Sequence, residues 1–176
     1  MKFSDIPKLP FAYYSVNTPL RYLEETLENY KKEYGLIMEP DFQRAHVWTE
    51  YQQSSYVEWI LRGGFSGKDI FFNKPDWMKF NLKDTPLILV DGLQRLTAAL
   101  KFLHNEILVF GGYRLSDFED KMPWVDIAFN FHINNLKTRI EVLQWYLDFN
   151  SGGTLHTVGE LDKVRELLKK EKYRLI

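Results

Sequence analysis

The stretch Leu87-Ile88-Leu89-Val90-Asp91-Gly92-Leu93-Gln94-Arg95-Leu96-Thr97 decides how the rest of the chain reads. Four consecutive apolar residues suit a buried strand, and Asp-Gly marks a tight turn. From Leu93 to about His104 the apolar residues recur at helical spacing. The expectation is a strand that runs straight into a helix, with Gln94, Arg95 and Thr97 near its start. A helix N-terminus carries unpaired N–H groups and a partial positive charge, so it attracts anions. Arg95 adds a planar, permanently charged fork suited to phosphate. Asp91 beside such a site either binds Mg²⁺, orients water, neutralises an arginine or caps the helix. These residues alone leave that choice open. They weigh a nucleotide or nucleic-acid phosphate site evenly against an arginine that only meets solvent.

At 176 residues, with 45% hydrophobic content, the chain reads as one domain able to build its own core. Its 23 Lys+Arg against 24 Asp+Glu leave a net charge of −1, so any phosphate contact must come from a local patch. Cysteine is absent, which excludes disulfides and thiolate metal sites and fits a reducing compartment. The N-terminus has no apolar run of signal-peptide length, and nothing approaches a membrane span. The expectation is a cytoplasmic protein with no membrane partner.

Around the central stretch, helices and short strands mix without a regular βαβ rhythm. This favours a compact α+β domain over a doubly wound sheet. An extended piece near Phe11 to Val16 leads to Thr18-Pro19, read as N-cap and first helical position. The helix that follows carries Leu20, Leu23, Leu27 and Tyr30 on one face and stops at Gly35. Leu36 to Met38 suits a short strand. Thr49 with Gln52 is a capping box for a second helix to about Leu61, which Gly63-Gly64 breaks. Asp69 to Phe72, Ile107 to Phe110 and Val125 to Ile133 suit strands, with residues 74–86 as loop or short hairpin. Thr138 caps a fourth helix, and Thr157 with Glu160 opens the last, to about Lys172.

Two more polar islands interrupt the apolar chain. In Pro40-Asp41-Phe42-Gln43-Arg44, followed by Val47-Trp48, the aromatics and Val47 anchor the segment while Gln43 and Arg44 face outward. Arg44 is a candidate second phosphate clamp, although on these residues alone a surface loop pinned by aromatics is the better reading. In Asn150-Ser151-Gly152-Gly153-Thr154 the glycines permit a sharp turn and an anion-binding nest of N–H groups. A plain helix–helix connector is the competing reading. His46, His104, His132 and His156 lack paired metal-ligand spacing. Only His156, beside the glycine turn, reads as a candidate. The basic residues from Lys163 to Arg174 read first as the solvated face of a terminal helix.

Taken together, Pro40-Asp41-Phe42-Gln43-Arg44…Val47-Trp48, Asp91-Gly92-Leu93-Gln94-Arg95-Leu96-Thr97 and Phe149-Asn150-Ser151-Gly152-Gly153-Thr154 resemble, in this order, the GmrSD restriction-endonuclease N-terminal domain family of the ParB/sulfiredoxin-like superfamily. The likeness runs from about residue 12 to residue 168. Its specific element is an Asp-Gly-Gln-Gln-Arg signature. The resemblance implies a single ParB-like α+β domain over residues 1–176, with a short mixed sheet flanked by several helices. It also implies binding, and in active members hydrolysis, of a nucleoside triphosphate in bacterial or phage DNA restriction and modification conflict. By position, Asp91, Gly92, Gln94 and Arg95 match the signature, Gln43 and Arg44 the upstream motif, and Asn150, Gly152, Gly153 and Thr154 the glycine turn.

On this resemblance Asp91, Gln94 and Arg95 are the catalytic candidates, and Asp91 is also the Mg²⁺ candidate. Gln43, Arg44, Gly92, Arg95, Thr97, Asn150, Gly152, Gly153 and Thr154 are the nucleotide- and phosphate-binding candidates. Leu93 stands where the family usually has glutamine, which puts hydrolysis in question. Restriction proteins of this type usually add a C-terminal HNH nuclease domain; the expectation is that this protein has none and that a separate nuclease subunit or DNA is a partner. The alternatives are an inactive nucleotide-sensing or DNA-binding module and, behind it, an autonomous nuclease.

Overall fold

The computed structural model describes residues 14–44, 47–75, 77, 85–122, 127–151 and 158–174, without side chains at Phe149, Ser151, Val158 and Glu160. It is an α+β structure. Strands β1 (Tyr14–Pro19), β2 (Asp69–Asn73), β3 (Ile88–Asp91) and β4 (Ala128–Asn134) form one mixed sheet in the order β1-β4-β2-β3. β4 is antiparallel to β1 and parallel to β2, and β2 is antiparallel to β3. The helices are α1 (Leu23–Tyr34), α2 (Glu50–Leu61), α3 (Leu93–Leu103), α4 (Arg139–Ser151) and α5 (Val158–Tyr173). Among the described residues, no helix is long and apolar enough to cross a membrane.

Alternation along the strands divides the sheet into two faces. Ile70, Phe72, Leu89, Phe129, Phe131 and Ile133 pack against Leu20, Leu23, Leu27, Ile60, Leu93 and Leu96 in the larger core. On the other face Val90, Phe71 and Ile88 meet Val142, Leu143, Trp145 and Tyr146 of α4 with Val164 and Leu168 of α5. This second core covers the β3 side only. Towards β1 the same face carries polar residues. The register places Ser15 opposite His132 and Asn17 opposite Asn130.

Local signals in the chain set several boundaries. Gly35 ends α1 in a left-handed conformation, φ 61°, and its N–H donates to the Lys31 and Tyr30 carbonyls. Thr49 and Gln52 form the full capping box at the start of α2. Thr138 and Glu141 exchange the same pair of bonds ahead of α4.

Other expectations fail for identifiable reasons. Thr18 and Pro19 do not start a helix. They finish β1 opposite Phe129 and Ala128, and one 3-10 turn, Leu20–Tyr22, precedes α1. Pro19 has extended backbone, φ −59° and ψ 141°, so tertiary pairing overrides the cap signal. Ile107 to Phe110 is not a strand. Phe110 adopts φ 50° and the next two glycines are also at positive φ, which leaves one bridge between Val109 and Tyr113. Leu36 to Met38 likewise reduces to one bridge, Ile37 to Ile88. The Thr157–Glu160 capping box and most of residues 74–86 lie outside the described residues.

Candidate functional site

The strand-to-helix turn has the expected form, with one correction at Asp91. Gly92, not Asp91, is the N-cap of α3, and no side chain caps that end. Gly92 sits at φ 116° and ψ 4°. A Cβ there would lie 2.6 Å from Ile70 Cδ1 and 3.1 Å from Ile70 Cγ2, so both backbone geometry and space demand glycine. The uncapped helix start leaves backbone N–H groups of the first turn without intrahelical partners.

Asp91 is instead the partner of Arg95. The Arg95 Nη2 donates to Asp91 Oδ2 within one helical turn. Arg95 Nη1 donates to the backbone carbonyl of Asp69, 2.6 Å away. The Arg95 and Asp91 side chains are 19% and 24% exposed, so the pair is sheltered yet reachable.

Gln94 joins the second island to the first. It is 8% exposed, and its Oε1 accepts from the backbone N–H groups of Val47 at 2.9 Å and Trp48 at 3.1 Å. Gln43 reaches the same strand from the other side. Its Nε2 donates to the Val90 carbonyl, 3.2 Å away, while its Oε1 is buried without a hydrogen-bond partner among the described residues. Phe42 is buried edge-on against Tyr146 of α4, ring centroids 5.3 Å apart. Arg139 at the start of α4 holds Asp41 with bonds of 2.9 and 2.7 Å. Gln43 and half-buried Arg44 therefore stand on a segment fixed at both ends beside the start of α3.

The third island is described only at Asn150 and the backbone of Ser151, which end α4. Asn150 Nδ2 donates to the Tyr146 carbonyl, 2.8 Å away, one turn along from the ring that meets Phe42. Gly152, Gly153, Thr154 and His156 lie outside the described residues, as does His46. Thr97 is half-buried on α3.

Leu93 departs from the sequence expectation. It is 5% exposed and belongs to the main core. The position faces the interior, where leucine packs with the core.

A group that sequence reading passed over adjoins Arg95. Asp69, whose carbonyl Arg95 holds, accepts through Oδ1 from Asn130 Nδ2 at 3.1 Å and pairs with His132 Nε2 at 2.7 Å. Partial burial raises the Asp69 carboxyl, but the bonds from His132 and Asn130, with the charges of His132 and Arg95, outweigh it. They hold the group below its ordinary value. Nearby Tyr56 donates to the Gly67 carbonyl at 2.8 Å, and burial pushes its hydroxyl strongly up. The available signal was the alternation Phe129, Phe131, Ile133 against Asn130, His132, which sets the two polar residues on one sheet face.

The donor set bears on a metal. Among the described residues, no three His, Asp or Glu side chains gather as a metal-binding group. A lone carboxylate such as Asp91 does not build a protein cage. It does fit Mg²⁺ that arrives on phosphate oxygens, since that ion usually takes one or two carboxylates and keeps the rest of its shell on substrate and water.

Comparison with known proteins adds three findings. No curated protein matches the chain. The crystal structure of the C-terminally truncated chromosome-partitioning protein ParB from Caulobacter crescentus, complexed with CTP-gamma-S, is similar at a TM-score of 0.42 and 14% identity. That match covers 91% of this chain and 65% of that one, so the chain spans about two thirds of the ParB structure's length. The family model for the GmrSD restriction endonuclease N-terminal domain matches residues 23–173, which includes all three polar islands, and the chain belongs to that family.

Proposed function

We propose that the protein binds a nucleoside triphosphate with Mg²⁺ at the uncapped start of α3 and serves a DNA restriction or modification system. One observation carries this reading. Two motifs about fifty residues apart are tied together at one helix N-terminus, by Gln94 on the Val47 and Trp48 N–H groups and by Gln43 on Val90. Each motif brings an arginine, and the buried Gln43 Oε1 still lacks a donor among the described residues.

The Asp91–Arg95 pair gives the binding event its chemistry. A magnesium nucleotide presents a cation and an anion together. Asp91 would exchange Arg95 for the metal, and Arg95 would exchange Asp91 for phosphate, so neither half-buried charge is left alone. Arg44 and the α3 N–H groups add positive potential from the other side. Bound Mg²⁺ would neutralise phosphate charge and polarise the phosphoryl group. Asn150, Gly152, Gly153 and Thr154 are the candidates for a segment that meets the ligand from the end of α4.

Binding without turnover is the second reading, favoured by Gln94. Its oxygen is occupied by two backbone donors, which suits a positioning role rather than contact with attacking water.

Titration calorimetry with ATP, GTP and CTP in Mg²⁺, repeated on Arg95→Ala, tests the site. Binding by at least one nucleotide should weaken ten-fold or more in the variant. No binding by any nucleotide, or equal affinity in Arg95→Ala, rejects it. Phosphate release then separates hydrolysis from sensing. A steep fall of DNA affinity with salt would reveal a nucleic-acid contact.

A further inference from the structure

The polar half of the sheet holds a second constellation that the nucleotide site does not use. Ser15 Oγ lies 2.9 Å from His132 Nδ1, and His132 Nε2 lies 2.7 Å from Asp69 Oδ1. Hydroxyl, imidazole and carboxylate stand in line across three adjacent strands, β1, β4 and β2. Asn130 fixes the carboxylate from the side. The imidazole stacks on Phe71, centroids 4.9 Å apart and planes 23° apart. We propose that Ser15 is a nucleophile activated by His132 and oriented through Asp69, able to attack small activated carboxylic esters.

The direction of the hydrogen bonds supports the assignment. Asp69 is held anionic, so in the neutral imidazole the proton stays on Nε2 and is donated to the carboxylate. The lone pair then sits on Nδ1 and faces the Ser15 hydroxyl. That is the polarity base activation needs: a nucleophile bonded to a base whose far side is held by a carboxylate. Ser15 is exposed, so an electrophile can reach it. In the reaction Ser15 Oγ bonds to the ester carbonyl carbon and its proton passes to His132 Nδ1. The ester C–O bond breaks, and the leaving alcohol takes that proton. Water then enters by the same route, releases the acid and restores the serine.

The test treats the full-length protein with a fluorophosphonate, which bonds to an activated serine and releases fluoride, and locates the adduct by mass spectrometry. The other six serines are internal controls. The adduct is expected on Ser15 alone, together with slow turnover of p-nitrophenyl acetate that Ser15→Ala abolishes. His132→Ala should slow labelling by about 100-fold or more, the usual contribution of a general base. Added imidazole should restore part of the rate, which a merely structural role would not produce. Asp69→Asn, nearly isosteric, should slow labelling in a protein that still folds, as circular dichroism would show. No adduct at Ser15 in the wild-type protein overturns the proposal, as does labelling of His132→Ala at the wild-type rate. If His132→Ala does not fold, wild-type labelling and Asp69→Asn decide alone. Nucleotide affinity plays no part in either outcome.

Discussion

At the residue scale, Gly92 and Leu93 show how closely the site is set into the core. Gly92 combines a left-handed backbone with a close approach to Ile70. Gly92→Ala should therefore lower stability by about 2–4 kcal/mol, from backbone strain and overpacking together. Urea unfolding would measure it, and a midpoint equal to wild type would contradict the geometry. Leu93 faces the interior, so restoring the family's usual glutamine should not restore a lost activity. Leu93→Gln should cost about 2–3 kcal/mol through an amide buried among apolar side chains. Phosphate release per folded molecule should stay the same, and a gain in turnover would show that position 93 meets the ligand after all.

At the scale of elements, the stability of the site rests on a few side chains that bridge segments distant in sequence. Gln94 holds the 47–48 segment by two backbone N–H groups, and its removal leaves both to solvent. Gln94→Ala should cost about 1–2 kcal/mol. Hydrogen exchange at Val47 and Trp48 should accelerate while amides in the centre of α3 stay protected. Equal protection at 47 and 48 would mean that Phe42 and Arg139 fix the segment without Gln94. Arg139 itself bridges Asp41 and Glu171, but its side chain is 40% exposed, so its pairs contribute little in salt.

The elements also show what the sequence could and could not convey. Strand β3, α3, the capped start of α2 and the Gly35 stop follow from local rules that act within a turn or two, and each forms nearly where expected. Thr18-Pro19 satisfies the local rule for a helix start yet completes a strand, because its partner Phe129 lies far along the chain. Ser15, Asp69 and His132 carry no shared motif. They meet only because β4 enters between β1 and β2, an adjacency no local pattern encodes. Neutralising an arginine was one of the roles the sequence left open for Asp91, and the Asp91–Arg95 pair takes it. The tie from Gln94 to Val47 and Trp48 was not legible, since its acceptor serves backbone groups of a distant loop.

On the scale of the whole molecule, acid should weaken the fold through its stabilised carboxylates. Asp69 titrates below its ordinary 3.8 and Glu141 below its ordinary 4.5. A depressed carboxyl stabilises the fold above the unfolded value, and the contribution is lost as pH falls through the folded one. Stability should thus decline from about pH 4.5 downward. Asp69→Asn should flatten the lower part of that decline, a difference read from urea midpoints between pH 5 and 3. An unchanged slope would place Asp69 outside the acid response.

The strand order has a consequence in the time domain. Among the described strands β1 is translated first, yet the neighbour it pairs with there is β4, and Ser15 waits 117 residues for His132. β2 and β3 pair with each other early, but β1 joins them only through β4. Until residue 134 has emerged, β1 therefore lacks its strand partner among the described residues, and an unpaired edge is a template for association with other chains. Synthesis that stalls between β3 and β4 should yield an aggregation-prone fragment, although most of the helical and hairpin signals have already been translated. Of the described strands, the last to be made is the one that joins β1 to the sheet.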